Sequence, residues 1–441
     1  MNPSTSTDPS SANVGEVPGA LPLQRERSRA GEGRRQWPTR PGRRVALYSH
    51  DTQGLGHIRR NSLLAAAMVA ADPDLSVLLL SGAGEAASLP LPERTDLVTV
   101  PGLAKDLLGR YSARSLDCSL EQVLAVRSQV LEGALCAFAP DLLVVDKVPR
   151  GVLGELDAAL RRVRFEHGTR TVLGLRDVLD DVPTTHREWR AARTSEAVQT
   201  LYDQVWVYAD PTVFDPAEVY GWSDAVRAKV RYTGYLGAGR ERLLPKPTTD
   251  GRAPSVRARL RRPYVLALVG GGQDGAALAD AFARATFPAG HDGVLVTGPY
   301  LPAAARRSLA DLARSRGDLR VFRFVGDVPA LARASRATVS MGGYNAVCEL
   351  VSARRPVLVV PRVVPRREQA LRAEHFADHG LLDVLAPDRL DPDRLGAWLR
   401  SAVAVRRRAV PKVDLTGLRR VPALTRELVD ALEPGGAVHV G

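Results

Sequence analysis

Cysteine is nearly absent. Cys118, Cys136 and Cys348 are the only three in 441 residues, odd in number and without metal-ligand spacing. That excludes a disulfide framework and fits a reducing compartment. No apolar run approaches the roughly 20 residues that cross a bilayer. The opening stretch, MNPSTSTDPSSANVGEVPGA, has no basic segment followed by an apolar one, so no secretory signal is expected and the cytoplasm is the expected compartment. Lysine is scarce too. It occupies only positions 105, 147, 229, 246 and 412, so the net charge of +12 is almost wholly arginine. A GC-rich coding bias produces that balance without function. A functional surplus of arginine would attract an anionic membrane surface, as a peripheral contact at the inner face, or phosphorylated ligands. There is no zinc finger, aromatic RNA-binding strand or helix-turn-helix pattern, so nucleic acid is not an expected partner.

What is present reads as two α/β units. Hydrophobic residues make up 45% of the chain, enough for two cores, and the length exceeds that of one ordinary domain. Residues 1–42, rich in Ser, Pro, Gly and Arg and without periodicity, are expected to form a disordered basic arm. Over 43–240, short apolar runs (RRVALYSH, DLSVLLLSG, DLVTVPGL, APDLLVVDK, RTVLGLRD, QVWVYADP, VRYTGYL) alternate with helical spacing. Near-continuous apolar strands between helices predict a parallel sheet covered on both faces. A Pro-, Gly- and charge-rich linker follows over 241–262. The alternation restarts over 263–405 with RPYVLALV, HDGVLVTGP, LRVFRFVGD, RATVSMGG and RPVLVVPR, and a helical tail over 406–441 ends the chain. The helical stretches PDRLGAWLRSAV and TRELVDALE are expected to pack back on the first unit.

Four constellations carry chemistry. Gly54, Gly56 and His57 stand in the turn GLGH, after a strand and before a helix. Glycines there allow close backbone approach to a ligand, and the turn lies at the strand ends where open α/β sheets bind ligands. An imidazole is suited to take a proton near neutral pH. His50, at the end of the same strand, competes with His57 for that role, and Asp51 is positioned in sequence to orient either ring. The second constellation, Gly270-Gly271-Gly272-Gln273-Asp274-Gly275, joins a strand to a helix, so its amides make an anion site for which diphosphate is the natural guest. It lacks the lysine and hydroxyl of a P-loop, which disfavours nucleotide hydrolysis. In the third, SMGGYNAVCE, Gly342 and Gly343 offer amides, and Glu349, about one turn into a helix, suits ribose hydroxyls. In the fourth, after the strand VLVV, Arg362 and Arg366 precede Glu368 and Gln369, whose carboxylate and amide suit vicinal sugar hydroxyls; a solvated first helical turn would look the same.

Two patterns mislead. Gly82-Ala83-Gly84-Glu85-Ala86-Ala87 mimics a dinucleotide fingerprint but lacks a convincing acidic residue about 20 positions on. Asp72-Pro73-Asp74 and Asp391-Pro392-Asp393 mimic a metal-binding D-x-D but sit in turns where capping explains them. No His, Cys and carboxylate cluster suggests a metal, and no cofactor is expected.

Taken together, the ordered set GLGH, GGGQDG, SMGGYNAVCE, VPRVVPRREQALRA and HGLL resembles the GT-B glycosyltransferases, nearest to the group of the lipid II synthase MurG, with a C-terminal half like that of glycosyltransferase family 28. YSHDTQGLGHIRRN, VVDKVPRGVLGEL, LGLRDVLDD, VYADPTVFD and YTGYL also resemble a bacterial family of predicted glycosyltransferases, over about residues 43–385. The resemblance implies two Rossmann-like doubly wound domains facing a cleft. It implies transfer of a sugar from a nucleotide donor, UDP-linked by preference, to a hydroxylated acceptor (glycan, lipid-linked or small molecule), by inversion and without metal. His57 would be the base. Gly271, Gly272 and Gln273 would cradle the diphosphate, with Gly54, Gly56, Gly342, Gly343, Asn345 and Arg366 adding phosphate contacts. Glu349 would hold the ribose, and Glu368 and Gln369 the donor sugar. Arg372 departs from the MurG group, where Asn is common. Two other activities fit the architecture: a UDP-sugar 2-epimerase, with Asp146 and Asp177 as acid–base carboxylates, and a non-catalytic nucleotide-sugar-binding module.

Overall fold

The computed structural model describes residues 42–51, 54–106, 110–243, 260–271, 274–325, 327–405 and 412–431. The expected basic arm, save Gly42, and most of the expected linker lie outside the described residues; residues 240–243 of the chain leading into the linker form a helical turn.

Strand β1 (Arg44–Ser49) is followed by β2 (Ser76–Ser81) and β3 (Thr95–Thr99), then by a separate antiparallel hairpin, β4 (Leu103–Lys105) and β5 (Tyr111–Ala113). The first sheet resumes with β6 (Leu142–Asp146), β7 (Arg170–Arg176), β8 (Gln204–Tyr208) and β9 (Val230–Tyr232). Its order is β3-β2-β1-β6-β7-β8-β9, with every pair parallel. The second sheet contains β10 (Tyr264–Leu268), β11 (Asp292–Val296), β12 (Leu319–Phe322), β13 (Thr338–Ser340), β14 (Val357–Val359) and β15 (Asp383–Val384). Its order is β12-β11-β10-β13-β14-β15, again all parallel. The apolar character of these runs follows from burial on both faces: β6, β8, β10 and β11 are buried at every position.

In each sheet the chain reverses its direction of travel at one point. These points lie between β1 and β6, and between β10 and β13. There the loops leaving neighbouring strands diverge and open a crevice. GLGH follows β1 and Asp146 ends β6; Gly270 follows β10 and Gly342 follows β13. The candidate residues therefore cluster at the two crevices that the topology creates.

The last helices divide. Pro392–Ala402 packs on the helix Ala276–Arg284 of the second unit, contrary to the expectation that it returns to the first. Gly417–Asp430 does return, packing on Gly56–Ala71 with Arg43 paired to Asp430. The segment before it is bonded to the first unit: Tyr235 N–H donates to Asp414 O at 2.8 Å, and Asp414 N–H donates to Asp210 at 2.7 Å. One apolar cluster runs through both sheets and includes Leu47, Val144, Tyr235, Leu266, Val359 and Phe376.

Candidate functional site

The helix Gly56–Ala71 starts without a side chain of its own N-cap residue; Asp51 accepts from Ile58 N–H at 3.1 Å instead. Asp51 also accepts from the hydroxyls of Ser49 and Ser81. It thus orders the turn and does not orient an imidazole, against expectation, because Ile58 N–H and the hydroxyls of Ser49 and Ser81 occupy its oxygens. The carboxylate that meets His57 is Asp146, from the neighbouring strand β6, which contacts Nδ1. Arg60, one turn after His57, clamps the same carboxylate through Nη2 at 2.5 and 2.6 Å and Nε at 3.2 Å. Arg60 and Asp146 are both buried, and Arg60 together with His57 holds the Asp146 carboxyl well below its ordinary range despite burial, which opposes ionisation. An ionised Asp146 accepts from Nδ1–H, so the unprotonated nitrogen of neutral His57 is Nε2. The His57 side chain is 17% exposed. His50, its ring 4.8 Å away, is buried with Nδ1 unpaired, and burial drives its pKa down. Of the two histidines, His57 has both an orienting carboxylate and an accessible face.

On the opposite unit, Gly342 takes φ +85° after β13, where a Cβ would lie 2.7 Å from Val359 Cγ1. Only glycine fits that left-handed, crowded position. The helix Tyr344–Ser352 then begins at Gly343 with no side-chain cap, and a Cβ on Gly343 would meet open space. The helix Ala276–Arg284, after the Gly270–Gly275 turn, also starts without a side-chain cap. Asp181, Asp327 and Asp391 cap three other helices, whereas Asp157–Phe165, Thr194–Leu201 and Ala303–Ser315 also start without a side-chain cap. At two helix N-termini of the second crevice, then, no N-cap side chain occupies the first-turn amides. Gly271 lies beside Tyr300; Gly272 and Gln273 fall outside the described residues.

The two crevices touch. Asn345 Nδ2 donates to Gly56 O at 2.8 Å, joining the third constellation to the first. Asn345 Oδ1 stays buried without a partner. Glu349, one turn on, lines a cavity of about 370 Å³ with Arg240, Arg333, Ser352 and Asp414. Its Oε1 is buried without a hydrogen bond, Arg240 lies 3.8 Å away, and burial raises its pKa. Gly271, Gly342 and His57 do not line this cavity.

Glu368 is not in a solvated helical turn. It is 8% exposed and pairs with Arg176, at the end of β7, at 2.6 Å, with Arg362 at 3.6 Å. Although burial opposes ionisation, Arg176, Lys147, Arg372 and Arg362 hold its carboxyl well below the ordinary range. Gln369 Oε1 accepts from Arg362 N–H at 3.2 Å. Arg366 is committed to Asp180 at 3.1 Å and Glu188 at 2.5 Å. Arg372 forms a fully buried pair with Asp177, with contacts from 2.6 to 2.9 Å. Asp177 is thereby unavailable as an acid–base carboxylate, and Asp146 is held by Arg60 and His57.

Sequence reasoning missed Arg60, Arg176 and the orienting role of Asp146. A carboxylate at the end of the strand beside β1 was the available signal for Asp146. It also missed Phe324, which is 62% exposed in the loop after β12, on the same sheet edge as Gly271. Among the described residues no group of His, Cys, Asp and Glu is arranged to hold a metal ion, and no helix is long and apolar enough to cross a membrane.

Known proteins resemble parts of this chain or its fold. Residues 266–414 match the model of the glycosyltransferase family 28 C-terminal domain. A UDP-N-acetylglucosamine–N-acetylmuramyl-(pentapeptide) pyrophosphoryl-undecaprenol N-acetylglucosamine transferase of Lachnospira eligens is 32% identical over 82 residues, 18% of this chain and 23% of that protein. The chain thus spans about a quarter of the length of that curated relative. Among solved structures, the calicheamicin glycosyltransferase CalG4 superposes with a TM-score of 0.53 at 18% identity, over 88% of this chain and 98% of the other. A Listeria monocytogenes protein described as a UDP-N-acetylglucosamine 2-epimerase superposes with a TM-score of 0.56 at 13% identity, over 89% and 98%. At such identities the likeness speaks for the fold, two Rossmann-like units of the GT-B type. The chain therefore has the GT-B fold, and its residues 266–414 resemble the glycosyltransferase family 28 C-terminal domain.

Proposed function

We propose that this chain is a glycosyltransferase that moves a sugar from a nucleoside-diphosphate donor, a UDP sugar by preference, to a hydroxyl acceptor with inversion and without a metal ion. The observation that carries the reading is the Asn345–Gly56 hydrogen bond, which sets the His57–Asp146 pair against a helix N-terminus without a side-chain cap. In this reading the acceptor O–H gives its proton to His57 Nε2 as its oxygen bonds to the anomeric carbon. The bond from that carbon to the diphosphate breaks, and its electron pair leaves on the phosphate oxygen. Amides of the Gly271 and Gly343 turns and the two helix dipoles stabilise the departing charge. Glu349 Oε1, buried and unpaired, suits ribose hydroxyls as donors. Glu368, held ionised by Arg176, and Gln369 are assigned to the donor-sugar hydroxyls, and Phe324 offers an exposed ring to a base.

The epimerase alternative loses support, because Asp146 and Asp177 are each locked to an arginine. The test has two parts. Calorimetry with UDP should give binding that Glu349→Ala weakens by on the order of tenfold to a hundredfold, the worth of a hydrogen bond to a charged group; equal affinities would reject the ribose role. Incubation with UDP-N-acetylglucosamine alone should leave the sugar's configuration unchanged. Appearance of a 2-epimer without acceptor would replace this reading with the epimerase, and binding without transfer to any acceptor would leave a non-catalytic module.

A further inference from the structure

One cation at the meeting of the two units has no role so far. Lys147 directly follows Asp146 at the end of β6 and holds φ +67°. That left-handed backbone is costly for a residue with a side chain, and such residues cluster at ligand sites. The residue is half-buried, its peptide N–H tied to Gly174 O at 2.8 Å. Its ammonium lies in the field of Arg176, Glu368, Arg366 and Glu188, and it acts on His50.

The carboxylates around it are already matched. Glu368 pairs with Arg176 and Glu188 with Arg366. Among the described residues Lys147 has no ion-pair partner. Burial and the neighbouring arginines lower its pKa to about 8, against the opposing pull of Glu368 and Glu188, neither of which forms an ion pair with it. The register of β6 with β1 (Val145 opposite Tyr48) and with β7 (Asp146 opposite Gly174) places Lys147 between the segments that carry His50 and Arg176, whose Nδ1 and Nε are buried without hydrogen-bond partners. A buried polar atom left unpaired in a folded protein needs a partner, which a water, an ion or a ligand supplies. Lysine is also the compact point charge, in a chain that uses arginine nearly everywhere else.

We propose that Lys147 binds an anionic group, a phosphate or a carboxylate, carried by a substrate beside His57. The inference rests on the nucleotide-sugar reading for the identity of that substrate, and the anion belongs either to the acceptor or to the donor sugar. An anion here would pair with Lys147 and take the free donor of Arg176, placing its neighbouring hydroxyl or anomeric carbon next to the His57–Asp146 pair.

The test titrates inorganic phosphate into UDP-saturated protein by calorimetry, so that UDP fills the glycine turns. Wild type and Lys147→Arg should bind phosphate, and Lys147→Met should bind it at least about tenfold more weakly, as loss of a charge-assisted contact requires. UDP affinity, equal in all three, reports that each is folded. Absence of phosphate binding by UDP-loaded wild type, or equal binding by Lys147→Met, overturns the proposal. A second arm compares UDP-glucuronate with UDP-glucose. A preference for the glucuronate that Lys147→Met abolishes puts the anion on the donor sugar; Lys147-dependent phosphate binding without that preference puts it on the acceptor. If UDP does not bind at all, phosphate binding that depends on Lys147 sinks the nucleotide-sugar reading and leaves the anion site standing, whereas phosphate binding indifferent to Lys147 sinks both.

Discussion

His57 gains direction from the carboxylate behind it. Asp146 fixes the Nδ1–H tautomer and turns Nε2 outward, while Arg60 keeps Asp146 ionised. The pair is therefore better described as a triad in which the arginine neutralises the orienting charge. In the proposed transferase, Asp146→Asn should lower turnover by about 10²–10⁴, the range for a positioned acid–base group, with UDP affinity retained. Asn leaves buried Arg60 unpaired, so melting temperature is read alongside. The double variant Asp146→Asn, Arg60→Met should recover stability without recovering turnover. Turnover equal to wild type in either variant would remove the orienting role. At this scale the sequence was half legible. Residue types at strand ends pointed to His57, Gly342 and Glu349, whereas the partner of each depended on which strand lies next to which.

The strand-to-helix turn is the element that recurs, once for each constellation. Its glycines serve different needs. Gly342 must be glycine because its backbone is left-handed and Val359 crowds it, whereas Gly343 faces open space. Gly342→Ala should cost about 1–3 kcal/mol, the range for a forced backbone conformation, and should weaken UDP binding by shifting the helix start. Gly343→Ala should leave the urea midpoint close to wild type. Equal midpoints for both would show that the turn relaxes freely. The alternation of apolar strand and helical spacing made β1, β2, β3, β6 to β9 and β10 to β14 legible. The hairpin β4–β5, the two-residue β15 and the helices Val182–Ala191 and Thr194–Leu201 were not. Short pairings carry little periodicity, and those helices, of ten and eight residues, are too short for apolar spacing to mark them.

For the molecule as a whole, what joins the halves is polar as well as apolar. Arg372–Asp177, Arg366–Asp180, Arg176–Glu368 and Asn345–Gly56 all cross between residues of the first and second sheets' units. Arg372, which departs from the MurG-like pattern, finds its reason here: it satisfies a buried aspartate of the opposite unit. Asp177→Ala should destabilise the chain by about 3–5 kcal/mol, because a buried guanidinium then lacks its counter-charge. The pair Asp177→Leu, Arg372→Met should lose much less than the two single changes together, as read by urea unfolding. Additive losses would mean that the two residues do not act as a pair. Composition and periodicity by themselves determined two parallel α/β units and the glycine turns at their strand ends, because burial on both faces and left-handed turns write themselves into local residue choice. The tertiary structure alone decided that Asp146 rather than Asp51 backs His57, that Glu368 and Arg366 are tied to the opposite unit, and that the final helix returns to the first. Those outcomes depend on distances between residues far apart in the chain, and a charged side chain looks the same in sequence whether water or a distant counter-ion surrounds it.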